Sequence, residues 1–203
     1  MNMKGERNWA EVVADLQTMV DTRFVIDDEE MVRPFECDGL AVYRETPRVV
    51  VIPDEVSEVC AVLSYCHQHG IPVVARGAGT GLTAGAMPHP DGILLSLSKF
   101  TRILEIDADS RMARVECGVR NLAISEAAQP HGLFYAPDPS SQIACTIGGN
   151  VAENSGGVHC LKYGLTVHNV LEATVVLANG EVLTIGNQGL DGCGFDLLAL
   201  LTG

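Results

Sequence analysis

The chain has 203 residues, of which 47% are hydrophobic and 19% charged, and its formal net charge is −13. That composition excludes a disordered chain, and the length allows one domain or two small ones. The acidic balance excludes a phosphate-backbone partner, so no nucleic acid is expected.

In chain order, Met1 to Asp15 is polar and charged, which predicts no signal peptide. Trp9–Val20 has an amphipathic helical pattern, with Trp9, Val12, Val13, Leu16 and Val20 on one face. Asp27–Tyr43 has no clean period and reads as a loop. Residues 1–45 are therefore taken as an N-terminal helix and lead-in segment, and residues 46–203 as the main domain. Arg48–Ile52 predicts a short buried strand closed by Pro53. Val56–His69 predicts a helix stopped at Gly70, and Pro72–Ala75 a second buried strand.

Ile93–Leu97, Ile103–Asp107 and Met112–Glu116 are three further strand candidates, and Asn121–Ala128 is a short helix before Pro130 and Gly132. Val170–Leu177 and Val182–Ile185 flank Asn179-Gly180, a hairpin signal. A βαβ unit followed by a mostly antiparallel region predicts an α+β fold. The last residues, Phe195 to Gly203, form an apolar helical stretch with no polar tail, which suggests a truncated or split chain. No apolar run reaches about 18 residues, so no transmembrane segment is expected.

Seven cysteines are present (37, 60, 66, 117, 145, 160 and 193), and none forms a C-x-x-C pair. They read as free thiols of a reducing cytoplasm rather than cluster or zinc ligands, and no metal site is expected.

Two segments carry the chemistry. Arg76-Gly77-Ala78-Gly79-Thr80-Gly81-Leu82 follows a strand, and four glycines (77, 79, 81 and 85) fall within nine residues. Such a loop lets successive N–H groups converge on an anion, and Arg76 adds a cation at its mouth. That is suitable chemistry for a pyrophosphate. Gly79 to Ala84 also fits the G-x-G-x-x-A dinucleotide fingerprint of a nicotinamide-dependent Rossmann enzyme. That motif must open a long helix, and Gly85, Pro88, Pro90 and Gly92 prevent one. A P-loop needs a lysine, which the loop lacks. A ligand-free tight turn is the plain alternative.

The second segment runs from Pro137-Asp138-Pro-Ser-Ser141 to Gly148-Gly149-Asn150 and Asn154-Ser155-Gly156-Gly157. Two Gly-Gly pairs and two asparagines flank an apolar turn, offering close backbone approach with mixed donors and acceptors, as a flavin ring requires. Alone it is ambiguous between a loop and a site. With the first loop it suggests two lips of one cleft.

In order along the chain, Thr46–Pro53, Pro72–Leu82, Pro137–Ser141, Ile147–Gly157 and Lys162-Tyr163-Gly164 resemble the FAD-binding domain of the vanillyl-alcohol oxidase, or PCMH-type, flavoproteins. The branch they are most similar to holds glycolate oxidase FAD-binding subunits and FAD-linked D-lactate dehydrogenases. The resemblance implies two α/β subdomains with the cofactor cleft between them. Gly77 to Leu82 would cradle the pyrophosphate. Pro137, Asp138 and Ser141 would lie near the flavin or its ribityl chain. Gly148, Gly149, Asn150, Asn154, Ser155, Gly156 and Gly157 would line the cleft, and Tyr163 and Gly164 would shape its floor.

Some relatives attach FAD through a histidine in the first loop. Thr80 stands there in this chain, which implies non-covalent FAD. The family's substrate pocket and catalytic base come from a C-terminal cap domain that this chain stops short of, as does a last FAD-contacting strand. The implied activity is 2-hydroxyacid oxidation with electrons passed from FAD to an acceptor. A non-catalytic FAD-binding module or inactive remnant is the alternative.

The implied partners are a second flavin-type subunit and an iron–sulfur subunit, with a peripheral position on the inner face of the membrane through them. The histidines include His67 and His69 at a helix C-terminus, suited to its dipole, and His159 after the second loop. Glu153 reads as a helix or solvent residue rather than a base. No catalytic acid or base is assigned.

Overall fold

The computed structural model describes residues 7–186 and 195–203. The chain begins with α1 (Trp9–Met19), then β1 (Val25–Ile26) and α2 (Glu29–Val32). It continues through β2 (Val49–Val51), α3 (Val56–His69), β3 (Val73–Arg76) and β4 (Ile93–Ser96). The four strands form one sheet in the order β1-β2-β4-β3. β4 lies between β2 and β3 and is parallel to both, so Leu94 sits between Val50 and Val74. β1 adds antiparallel at the outer edge of β2.

β2 and β4 are buried at every residue. Their unbroken apolar runs mark strands covered on both faces. Val12, Val13 and Leu16 of α1 and Val59, Val62 and Cys66 of α3 cover one face, against Val49, Val51, Ile93 and Leu95. Val32 and Phe35 cover the other, against Val50 and Leu94. α3 opens with a reciprocal cap, Glu55 and Glu58 each accepting the other's backbone N–H. It stops at Gly70, whose φ of 61° is the left-handed turn a glycine accepts without strain.

Beyond the sheet, β5 (Ile103–Asp107) and β6 (Met112–Val115) pair antiparallel, followed by α4 (Asn121–Ala128), α5 (Ile147–Glu153) and α6 (Cys160–Tyr163). β7 (Glu172–Val176) and β8 (Val182–Gly186) form the hairpin that Asn179-Gly180 signals, and α7 (Leu197–Leu201) lies near the end of the chain. The fold is α+β, as the element order implies.

The lead-in segment is more ordered than its composition suggests. Asp28 caps α2 by accepting the N–H groups of Glu30 and Met31, and Arg33–Phe35 continues as a 3-10 turn. β1 has only two residues, too few to show an alternating pattern.

Part of the expected second loop is a helix, α5, despite two adjacent glycines at its start. Gly148 serves close packing rather than a turn: a Cβ there would stand 2.8 Å from the Cys117 Cβ. Among the described residues no helix is long and apolar enough to cross a membrane.

Candidate functional site

The first glycine loop leaves β3 at Arg76. No backbone N–H from Gly77 to Thr83 donates to a backbone carbonyl among the described residues. A run of free donors in a glycine-rich loop is suited to an anionic acceptor. Gly79 has a φ of +68°, and a Cβ there would collide with the Arg76 guanidinium. Arg76 therefore lies beneath the loop. Its Nη1 donates to the carbonyls of Cys37 at 2.7 Å, Ala86 at 3.3 Å and Phe35 at 3.4 Å. The same segment braces the loop from another side, because a Cβ on Gly39 would stand 2.8 Å from the Thr80 carbonyl oxygen. The adjacent Asp38 is buried; its Oδ1 accepts the Leu40 N–H, and its Oδ2 has no protein donor.

The second loop is assembled on buried amides. Asn121 of α4, fully buried, donates to the Pro137 carbonyl at 3.0 Å. Asn150 of α5, 2% exposed, donates to the Asn121 Oδ1 at 2.8 Å. Asn150 thus faces the interior and fixes α5 to the Pro137 turn. Asn154 ends α5 in a left-handed conformation, and its Oδ1 accepts the Val167 N–H at 3.1 Å. The Ser155 carbonyl accepts the Thr166 hydroxyl at 2.7 Å.

Gly157 packs so closely on the Asp138 backbone that no side chain fits between them. The Asp138 carboxylate holds the next turn. It lies 2.6 Å from the His159 Nδ1 and accepts the His159 N–H at 3.3 Å. The hydrogen bond from His159 pulls the Asp138 pKa below the ordinary aspartate value. Tyr163 packs edge-on against Phe134 with ring centres 5.8 Å apart, and Gly164, with a φ of 80°, lies against the His168 ring.

The two loops meet at two points. The Thr146 hydroxyl, just before α5, abuts Gly77, and the Thr83 hydroxyl donates to Glu153 Oε1 at 2.8 Å. Beside the first meeting point is a cavity of about 360 Å³. Its walls include Gly77 and Ala78 after β3, Ser98 after β4, Gly118 and Arg120 between β6 and α4, and Thr146. It therefore opens outside the carboxyl ends of parallel strands, the usual place for a ligand in such sheets.

In a chain of net charge −13, no carboxylate lines this cavity and one arginine does. That electrostatic exception suits an anionic ligand. Cys117, behind Gly148, is pushed up to about 11 by burial and stays a thiol at neutral pH. The six described cysteines are free, and among the described residues no cluster of His, Cys, Asp or Glu could hold a metal ion. Cys193 lies outside the described residues.

The structure brings Gly77, Ala78 and the neighbourhood of Gly148 and Gly149 to one place, and sets Asp138, Gly157 and His159 together at another. Ser98, Gly118, Val119, Arg120 and Thr146 are cavity residues that glycine counting does not find. The available signal is position: Ser98 follows a buried strand, and Gly118 follows β6.

Residues 47–186 match the family described as FAD binding domain. Glycolate oxidase subunit GlcD of Escherichia coli (strain K12) is 61% identical over 176 residues, which are 87% of this chain and 35% of that protein. D-lactate dehydrogenase of Archaeoglobus fulgidus is 44% identical over 156 residues, 76% of this chain and 35% of that protein. The chain thus spans about a third of the length of these curated relatives. The solved structure of an alkyldihydroxyacetonephosphate synthase covers 100% of this chain and 39% of its own, with a TM-score of 0.83 at 18% identity, a likeness of fold alone. A fold shared at that level, sequence relatives over most of the chain and a match across residues 47–186 lead to one assignment: the chain belongs to the FAD binding domain family, with the PCMH-type fold.

Proposed function

We propose that this chain is the FAD-holding part of a flavin-dependent 2-hydroxyacid dehydrogenase that oxidises glycolate or D-lactate and passes the electrons to an acceptor. The observation that carries the reading is the open run of N–H donors from Gly77 to Thr83, beside a cavity free of carboxylates. Those N–H groups suit a pyrophosphate, and Arg76 holds the loop that presents them. Arg120 and Thr146 would meet the nucleotide from the facing wall. Asp138, Ser141, Gly148, Gly149, Gly156 and Gly157 would shape the place of the flavin ring, with Asn150, Asn154 and Ser155 fixing that wall from behind. When bound, FAD supplies the acceptor for a hydride equivalent from the hydroxyl-bearing carbon.

Binding is non-covalent in this reading. Thr80 offers no ring nitrogen, and the Cys117 thiol is held protonated by burial. The E. coli relative is by name a subunit. By the same likeness, a second flavin-type subunit and an iron–sulfur subunit are the proposed partners, and through them the chain would lie on the inner face of the membrane, in the cytoplasm.

Purified chain incubated with FAD and passed over a desalting column tests the reading. It should elute yellow, and trichloroacetic acid should release all of the flavin. Turnover of glycolate or D-lactate with a dye acceptor marks a catalytic chain. Bound FAD without turnover marks a binding module whose catalytic groups lie elsewhere. A colourless protein that binds NADH instead would overturn the assignment.

A further inference from the structure

We propose that Glu153 is a positioning residue for the cofactor, a clasp that holds the far end of the first glycine loop against the second. The inference rests on the FAD-binding reading. Glu153 is the last residue of α5, and Asn154 turns the chain away immediately after it. Its Oε1 accepts the hydroxyl of Thr83, 70 residues earlier in the sequence, at 2.8 Å. A Cβ on Gly81 or on Gly85 would stand 3.2 Å from the same oxygen. Glu153 and Thr83 are both exposed, and the Oε1 lies against bare backbone at the surface, with glycines on both sides of the threonine that binds it.

The other restraints on the loop act elsewhere. Arg76 lies beneath Gly79 and bonds the Ala86 carbonyl, Gly39 braces Thr80 and Gly81, and Thr146 abuts Gly77; of these only Thr146 belongs to the second loop, at the first loop's near end. Without Glu153, the stretch from Gly81 to Gly85 has no described side-chain tie to the second loop. A glycine-rich segment left free must be ordered when it takes up a ligand, and a tie made beforehand removes part of that cost.

The charge argues that the contact has a purpose. A carboxylate beside a loop that receives phosphates repels them, and this chain is already strongly acidic. Charge and hydrogen bond therefore act in opposite directions on FAD affinity, and substitution can separate them. Glu153→Gln keeps an acceptor oxygen for Thr83 and removes the charge. Glu153→Ala removes both. Thr83→Val removes the donor, and Thr83→Ser restores it.

The experiment is FAD titration of the purified chain, read by quenching of flavin fluorescence, with far-UV circular dichroism confirming that each variant melts as the parent does. Glu153→Ala and Thr83→Val should each weaken FAD binding about five- to tenfold, the range expected for one hydrogen bond. Glu153→Gln and Thr83→Ser should bind at least as tightly as the parent chain. The double variant Thr83→Val/Glu153→Ala should be no weaker than the weaker single one, because both remove the same contact.

Three results would overturn the clasp while FAD binding by the parent chain stands: unchanged affinity in Glu153→Ala, a Glu153→Gln variant as weak as Glu153→Ala, or additive losses in the double variant. A parent chain that binds no FAD would sink the cofactor reading, and the clasp with it.

Discussion

The two glycine loops look alike in sequence and stand on different foundations. The first leaves the edge strand β3, which pairs with β4, and β4 and β2 have apolar side chains covered on both faces. The second rests on polar groups removed from water: Asn121, Thr146, Asn150 and Thr166 are all buried. Apolar packing tolerates small changes of shape, whereas a buried amide must find each of its partners or lose much of its contribution. The difference implies that the strand base of the first loop is lost only with the sheet, and that the second loop can come apart while the sheet stands.

Leu94→Ala is the severest way to test this. Leu94 lies in the central strand, fully buried between Val50 and Val74. Its truncation should cost about 3–4 kcal/mol of unfolding free energy and take both loops with it. Urea denaturation followed by far-UV circular dichroism measures the loss. A cost below about 1 kcal/mol would show that the sheet is not the foundation.

Asn121→Ala should cost less, about 2 kcal/mol, by leaving the Asn150 amide and the Pro137 carbonyl without their partner. Hydrogen exchange should then rise across residues 137–157 and stay unchanged in β2 to β4. Equal increases in both regions would erase the distinction between them.

The smallest effect concerns acid. The Asp138 pKa is lowered in the folded chain, chiefly by its hydrogen bond with His159. The pair therefore contributes at pH values above the ordinary aspartate pKa of about 4, and its contribution is lost as pH falls through the lower folded value. Exchange of the His159 amide should quicken at that acid end in the parent chain. It should be fast throughout in Asp138→Ala, with the global melting temperature nearly unchanged. A protected amide in Asp138→Ala would show that Gly157 packing, not the carboxylate, holds the turn.

Much of the frame is legible in the residues themselves. Val56–His69 with Gly70, and Asn121–Ala128, read as helices to the residue, because apolar periodicity and a stop signal coincide there. Arg48–Ile52 reads as a buried strand and Ile93–Leu97 as a strand, and β2 (Val49–Val51) and β4 (Ile93–Ser96) lie within those runs. The second loop was harder. Gly148 and Gly149 read as part of a loop, yet Cys117 fills the space beside Gly148, and α5 forms around a buried asparagine.

Side-chain direction was not legible. Arg76 reads as a cation for the ligand, whereas its guanidinium caps three carbonyls under the loop. Asn150 reads as a residue lining the cleft, and its side chain is buried against Asn121. Glu153 reads as a helix or solvent residue and is both, the exposed last residue of α5; what the sequence does not show is its hydroxyl partner, 70 positions away. Local rules see neighbours in sequence, and these roles depend on which elements the fold brings together.

The central claim is that the open N–H groups of the first loop hold the pyrophosphate of FAD. The most direct measurement compares the affinity of the purified chain for FAD and for riboflavin, which has the same ring but neither the pyrophosphate nor the adenosine, in the parent chain and in Gly79→Val, where only the loop contact is changed. The account predicts FAD tighter by about 100-fold or more in the parent, the worth of two or three charge-assisted hydrogen bonds. Gly79→Val, strained at a φ of +68° and driven into Arg76, should lose that preference. Equal affinity for the two flavins, or a preference for FAD that survives Gly79→Val, would contradict it.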